Sequence, residues 1–119
     1  MGSAYGAKYA FLTRIILFPY INHMNFEYDP VKSATNKIKH GIDFEEAQTL
    51  WKDPYALTAP LGVSDEPRML VVAMFKEKLW TAVITHRNEA VRIISVRRAR
   101  KDEVIRYEKS KANAQNNLG

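Results

Sequence analysis

The chain has no cysteine among its 119 residues. That absence excludes a disulfide framework, a thiolate zinc site and a cysteine nucleophile, and it suits a cytosolic protein. Glycine is scarce too, at five residues, and none sits in a Gly-rich loop that could cradle phosphates. The three histidines lack a paired metal-ligand spacing, and no G-x-S-x-G elbow offers a serine nucleophile. What remains is general acid-base chemistry and charge stabilisation, with nothing that demands a metal or organic cofactor. Long apolar runs are missing as well. The apolar stretch at residues 11–21 is broken by Arg14 and Pro19 and is shorter than the roughly 20 residues a bilayer span needs, so no membrane role is expected.

Basic charge is what the chain has, and it is concentrated. The formal net charge is +5, and residues 92–111 alone carry eight Lys or Arg against three Asp or Glu, which leaves the rest of the chain neutral. A positive field gathered at one strand-to-helix corner is the footprint of a protein that grips a polyanion, most simply RNA or DNA phosphates. The length allows one domain with one modest core, and 46% hydrophobic with 26% charged residues is ordinary for a globular fold. Residues 1–23 differ in character, with one Lys, one Arg and no acid. They read as a poorly ordered extension or a start-site leader, the folded domain running from 24 to 111 and a flexible tail from 112 to 119.

Within the domain the pattern is regular. Asn25-Phe26-Glu27-Tyr28 alternates as a short strand does. Asp29-Pro30 starts a helix, whose buried face should be Val31, Ala34 and Ile38 and which Gly41 closes, with Lys32, Asn36, Lys37 and Lys39 on the other side. Asp43-Phe44-Glu45-Glu46 resembles a capping box for a second helix, with Phe44, Ala47 and Leu50 or Trp51 inward and Asp53-Pro54 as its stop. Strands are expected at residues 55–61, 68–75, 79–86 and 91–97, followed by a closing helix at about 99–111. The order β-α-α-β-β-β-β-α implies an α+β fold, with two N-terminal helices and one C-terminal helix on a mainly antiparallel sheet.

The last hairpin allows faces to be assigned. With the turn at residues 87–90, Trp80, Ala82, Ile84 and His86 share a face with Val91, Ile93 and Ser95. Thr81, Val83, Thr85 and Arg87 share the other with Arg92, Ile94 and Val96. The first, more apolar face should pack on helices, and the second should accept phosphate. Strict alternation places Arg97 on the first face and Arg98 on the second; a bulge near Ser95 would exchange them. Arg87, Arg92 and Arg97 are candidates to clamp a phosphate, or else charges that guard a sheet edge against aggregation. His40, failing it Lys39, is the candidate acid or base, though it could equally serve only the carbonyls at its helix end. Lys37, Arg98 and Arg100 could hold flanking phosphates, and Tyr107 could stack on RNA or simply pack.

Three groups of residues carry a family resemblance. They are Phe26-Glu27-Tyr28-Asp29-Pro30, the block from Asn36-Lys37-Ile38-Lys39-His40-Gly41 through Ile42-Asp43-Phe44-Glu45-Glu46-Ala47 with Asp53-Pro54, and Arg92-Ile93-Ile94-Ser95-Val96-Arg97-Arg98-Ala99 with Glu103 and Tyr107. Together, across residues 25–110, they resemble the BrnT family of bacterial type II toxins. The resemblance implies a RelE-like fold and a ribonuclease toxicity that inhibits translation, and with the acid-base chemistry and absent cysteine above, a metal-independent, cytoplasmic endoribonuclease is expected. It also implies a BrnA-like ribbon-helix-helix antitoxin, which alone would contact operator DNA. His40, Arg87, Arg92 and Arg97 are the matching basic positions and so the implied catalytic ones; Lys37, Lys39, Ser95, Arg98, Arg100 and Tyr107 are the expected RNA contacts on the residue reading above. Thr85-His86-Arg87-Asn88 lacks the Gly that often follows this Arg in the family. The alternative is a non-catalytic module that uses the same basic face to bind nucleic acid or an antitoxin.

Overall fold

Asp29 and Gly41 bracket the first helix, and both act through the backbone. In the computed structural model, which describes residues 24–62 and 65–118, helix α1 spans Pro30–His40. The Asp29 carboxylate accepts from the amides of Val31 at 2.8 Å and Lys32 at 3.4 Å, satisfying donors that the first helical turn leaves orphaned. Gly41, at φ 86°, adopts the left-handed conformation that ends the helix, and its amide donates to the Lys37 carbonyl. The extension expected at residues 1–23 lies outside the described residues.

The face that α1 buries is not the apolar one. Ser33 and Asn36 are buried, whereas Val31 and Ile38 are 73% and 88% exposed and Ala34 is exposed with them. The reason is a polar demand. Strand β1 (Phe26–Glu27) pairs with β5 (Ala90–Arg98) at Val91 and Arg92 only, so the β5 edge near Val96 needs another partner. Asn36 supplies it: its Nδ2 donates to the carbonyls of Val96 and Ile42, each at 2.8 Å, while its Oδ1 accepts from the Val96 amide at 3.3 Å. Ser33 Oγ accepts from the Phe44 amide at 2.9 Å. These bonds rotate the helix so that its apolar stripe points outward.

After α1 the capping box forms as its sequence suggests. The Glu46 amide donates to Asp43 Oδ1 at 2.7 Å and the Asp43 amide to Glu46 Oε1 at 3.0 Å. The element it starts is a 3₁₀ helix, Glu46–Lys52, in place of the expected second α-helix. Pro54 stops the chain within two turns, a length at which the tighter winding competes. Phe44, Ala47, Leu50 and Trp51 are all buried, so both candidate anchors at the end of the stripe point inward.

The rest is a meander. Strands β2 (Leu57–Pro60), β3 (Met69–Phe75), β4 (Lys78–Arg87) and β5 pair antiparallel in sequence, and β1 joins β5 in parallel to complete the order β1-β5-β4-β3-β2. Two-residue turns link β3 to β4 through Lys76-Glu77 and β4 to β5 through Asn88-Glu89. All four turn residues have positive φ, which matches the right-handed strand twist. The α+β class with a mainly antiparallel sheet is therefore observed.

The sheet is covered on both faces. Ile42, Phe44 and the 3₁₀ helix pack on Val71, Ala73, Ala82, Ile84 and Ile93, forming the larger core. Helix α2 (Lys101–Leu118) covers Val72 and Leu79 on the other side through Tyr107. It continues past Lys111, where the sequence suggests a flexible tail. Ala114 is buried, Lys111 stands 5.2 Å over the Tyr55 ring, and together they anchor the extra turns. No described helix is long and apolar enough to cross a membrane.

Candidate functional site

One irregularity decides where the arginines point. Pairing between β4 and β5 runs Thr81 with Arg97, Ala82 with Val96 and Val83 with Ser95, then shifts so that Ile84 faces Ile93 and Thr85 faces Arg92. Ile94 is the extra residue, a β-bulge that reverses which side each later residue takes. Arg92, Ser95 and Arg97 consequently share a face with Thr81, Val83, Thr85 and Arg87. Val96 turns to the other side, where it is fully buried. The exchange that a bulge near Ser95 would bring is the one observed, and strict alternation fails.

Along this face the arginines are unequally spaced. Arg92 is opposite Thr85, two residues from Arg87, which makes Arg87 and Arg92 diagonal neighbours at about 7–8 Å, near enough to share one phosphate. Arg97, opposite Thr81, is four positions further along β4, about 13 Å away at the usual strand rise. The structure therefore separates Arg97 from the pair. Half-buried Val83 and Ser95 floor the space between them.

Each arginine has a carboxylate. Arg87 Nη2 is 2.9 Å from Glu66 Oε2 in an exposed pair, whose hydrogen bond pushes the Glu66 pKa down. Arg92 Nη1 stands 3.9 Å from Glu27 Oε1, a long contact. Among the described residues that oxygen is buried and has no hydrogen-bond partner, although the Glu27 side chain as a whole is partly exposed. Arg97 is held most firmly: it meets both oxygens of Glu103, at 2.8 and 2.9 Å. Glu103 Oε1 also accepts from Thr81 Oγ1 at 2.8 Å and from the Arg100 amide at 2.7 Å, the residue before α2. The Arg97 bonds, followed by those of Arg100 and Thr81, outweigh burial and pull the Glu103 carboxyl from 4.5 down to about 2. Arg97 is thus a strut between β5 and α2.

The other expected site residues fall in three places. His40 shares the inward side of α1 with Ser33 and Asn36 by its spacing, and among the described residues its side chain makes no hydrogen bond or ion pair. Lys37 is tied to Glu46 at 2.8 Å, which raises its pKa, while Lys39 is exposed. Arg98 lies on the opposite sheet face, 5.5 Å from the Trp80 ring, and exposed Arg100 precedes α2. Tyr107 is 1% exposed and donates its hydroxyl to Asp53 Oδ2 at 2.7 Å, so it is a core residue with no ring face for a base. Burial, followed by the Asp53 carboxylate, pushes its pKa up.

Glu27 is the group that the sequence reading missed. Its place beside Arg92 depends on the parallel β1–β5 pairing, which no local pattern announces. Chemically, a part-exposed carboxylate beside an anion site can accept a proton from a group bound there. Among the described residues no group of three or more His, Asp or Glu is arranged to hold a metal.

The family model described as the ribonuclease toxin BrnT of type II toxin-antitoxin systems matches residues 28–103, well over half of the chain. The chain belongs to the BrnT family. The match begins just after β1 and ends at Glu103, so it takes in α1, the whole β2–β5 meander and the arginine face. As a member of this family it is a ribonuclease toxin, and a type II system implies an RNA substrate and an antitoxin partner. No curated protein matches the sequence.

Proposed function

We propose that the BrnT-like chain cleaves RNA as a metal-independent, cytoplasmic endoribonuclease on the Arg87–Arg92 face, within a RelE-like architecture. The observation that carries this reading is the diagonal arginine pair with the part-exposed Glu27 carboxylate beside it. Cleavage without a metal needs a base for the 2′-hydroxyl, cations for the pentavalent phosphorane and an acid for the 5′-oxygen. Arg87 and Arg92 bind the scissile phosphate and stabilise the transition-state charge. Glu27 takes the 2′-hydroxyl proton as that oxygen attacks phosphorus, and the P–O5′ bond breaks. The leaving 5′-oxygen takes its proton from water, because His40, one helical turn beyond Asn36 and so at the Val96–Arg97 end of β5, is too far from the Arg87–Arg92 pair to reach it. The products are a 2′,3′-cyclic phosphate and a 5′-hydroxyl.

Arg97 contributes by fixing the end of β5 and the start of α2. Ser95, Arg98, Arg100, Lys37 and Lys39 offer contacts to the flanking chain. A BrnA-like antitoxin with a ribbon-helix-helix half would neutralise the toxin and carry the complex to its operator.

The test is cleavage of single-stranded RNA by purified protein in EDTA, with the termini identified. Arg92→Ala should lower the rate about 100-fold or more. Glu27→Gln should lower it by a similar factor without weakening RNA binding. Salt-sensitive RNA binding without cyclic-phosphate ends would instead identify a non-catalytic binding module.

A further inference from the structure

The outward stripe of α1 contradicts the rule that a helix turns its apolar side to the core. Val31 and Ile38 are 73% and 88% exposed, and Ala34 lies between them on the same side. Thr35 extends the stripe, since its hydroxyl is turned back onto the Val31 carbonyl at 3.0 Å. The stripe repeats at i, i+3, i+4 and i+7, the spacing by which one helix receives another. Lys32 and Lys39 flank it on one side and Lys37 on the other, and α1 contains no acid.

We infer that this stripe is the docking surface for an amphipathic helix with acidic flanks, contributed by the protein antitoxin. The inference rests on the toxin reading above. Charge complementarity selects the occupant: Lys37 already meets Glu46, but exposed Lys32 and Lys39 form no ion pair among the described residues, so a second copy would set like charges against each other, whereas a Glu-flanked helix would neutralise them. RNA would use the lysines and leave the apolar residues uncovered. The surface is separate from the Arg87–Arg92 face, so an antitoxin helix seated here would hold the toxin without occupying its catalytic groups.

The experiment uses the full chain labelled with ¹⁵N. The probe is a synthetic helical peptide of about 20 residues with Leu at i, i+3, i+4 and i+7 and Glu on both flanks. A control peptide has Lys in place of Glu. Saturable amide shifts confined to α1 are expected with the first peptide and none with the second. Val31→Ser combined with Ile38→Ser should weaken binding about tenfold or more, with thermal unfolding and RNA cleavage unchanged. Lys32→Glu should also weaken it. Shifts centred on Arg87 and Arg92, undiminished binding by the double variant, RNA shifting α1 where the peptide does not, or a free chain that sediments as a dimer broken by that variant would each overturn the inference. Failure of the unmodified chain to cleave RNA would remove the ribonuclease reading. Failure of peptide capture with cleavage intact would remove only the docking surface.

Discussion

Glu103 accepts four hydrogen bonds while only 7% of its side chain remains exposed, so its partners differ sharply in what their removal costs. Arg97→Ala leaves that carboxylate buried without its cation and should destabilise the fold by about 3 kcal/mol or more. Arg92→Ala breaks only a long, half-exposed contact and should cost less than about 1 kcal/mol. Urea unfolding of the two variants separates them. If both lose cleavage, only the loss in Arg92→Ala speaks for a role at the phosphate. Glu103 also makes stability depend on pH. Its folded pKa is depressed, so its contribution is fully present above the unfolded value of 4.5 and drains away as pH falls toward about 2. The full contribution is about 3 kcal/mol. Glu103→Gln should flatten the fall in unfolding free energy between those two pH values, and a slope equal to that of the unmodified chain would show that other carboxylates carry it.

At the scale of elements, α1 and the last hairpin show what local pattern encodes. Asp29, Pro30 and Gly41 set the limits of α1 from the sequence alone, because each acts on its own backbone. The helix's rotation was not legible, since it is set by Asn36 reaching a strand sixty residues away. Asn36→Leu, close in volume, should cost about 1–3 kcal/mol by leaving the Val96 and Ile42 backbone groups unpaired. Little change on unfolding would mean water replaces the amide. Similarly, the hairpin turn was readable at Asn88-Glu89, but Ile94 looks like any strand residue and its bulge was only one of two options. Tyr107 stood open between stacking on RNA and packing, and tertiary packing decides for the core. Both turns hold non-glycine residues at positive φ, which L side chains adopt reluctantly. Glu89→Gly creates the Asn-Gly pair that this turn favours and should raise stability by about 1 kcal/mol, read as an upward shift in melting temperature.

For the whole molecule, the +5 charge is less free than its sum suggests. Arg87, Arg92 and Arg97 each face a carboxylate, and Lys37 faces Glu46. RNA phosphates must therefore compete with Glu66 and Glu27 for the two arginines on the open face. The exposed pairs there yield readily in water, whereas the Arg97–Glu103 pair does not. Arg87 and Arg92 should thus enter the counterion balance of RNA binding, and Arg97 should not. On single strands each neutralised phosphate contributes about 0.7 to the slope of log affinity against log salt. Replacing Arg87 and Arg92 together with Gln should reduce that slope by about 1.4, measured by fluorescence anisotropy over a salt series. An unchanged slope would place the RNA on α2's basic surface, where Lys101, Arg106 and Lys109 are exposed, and would detach the arginine pair from the substrate.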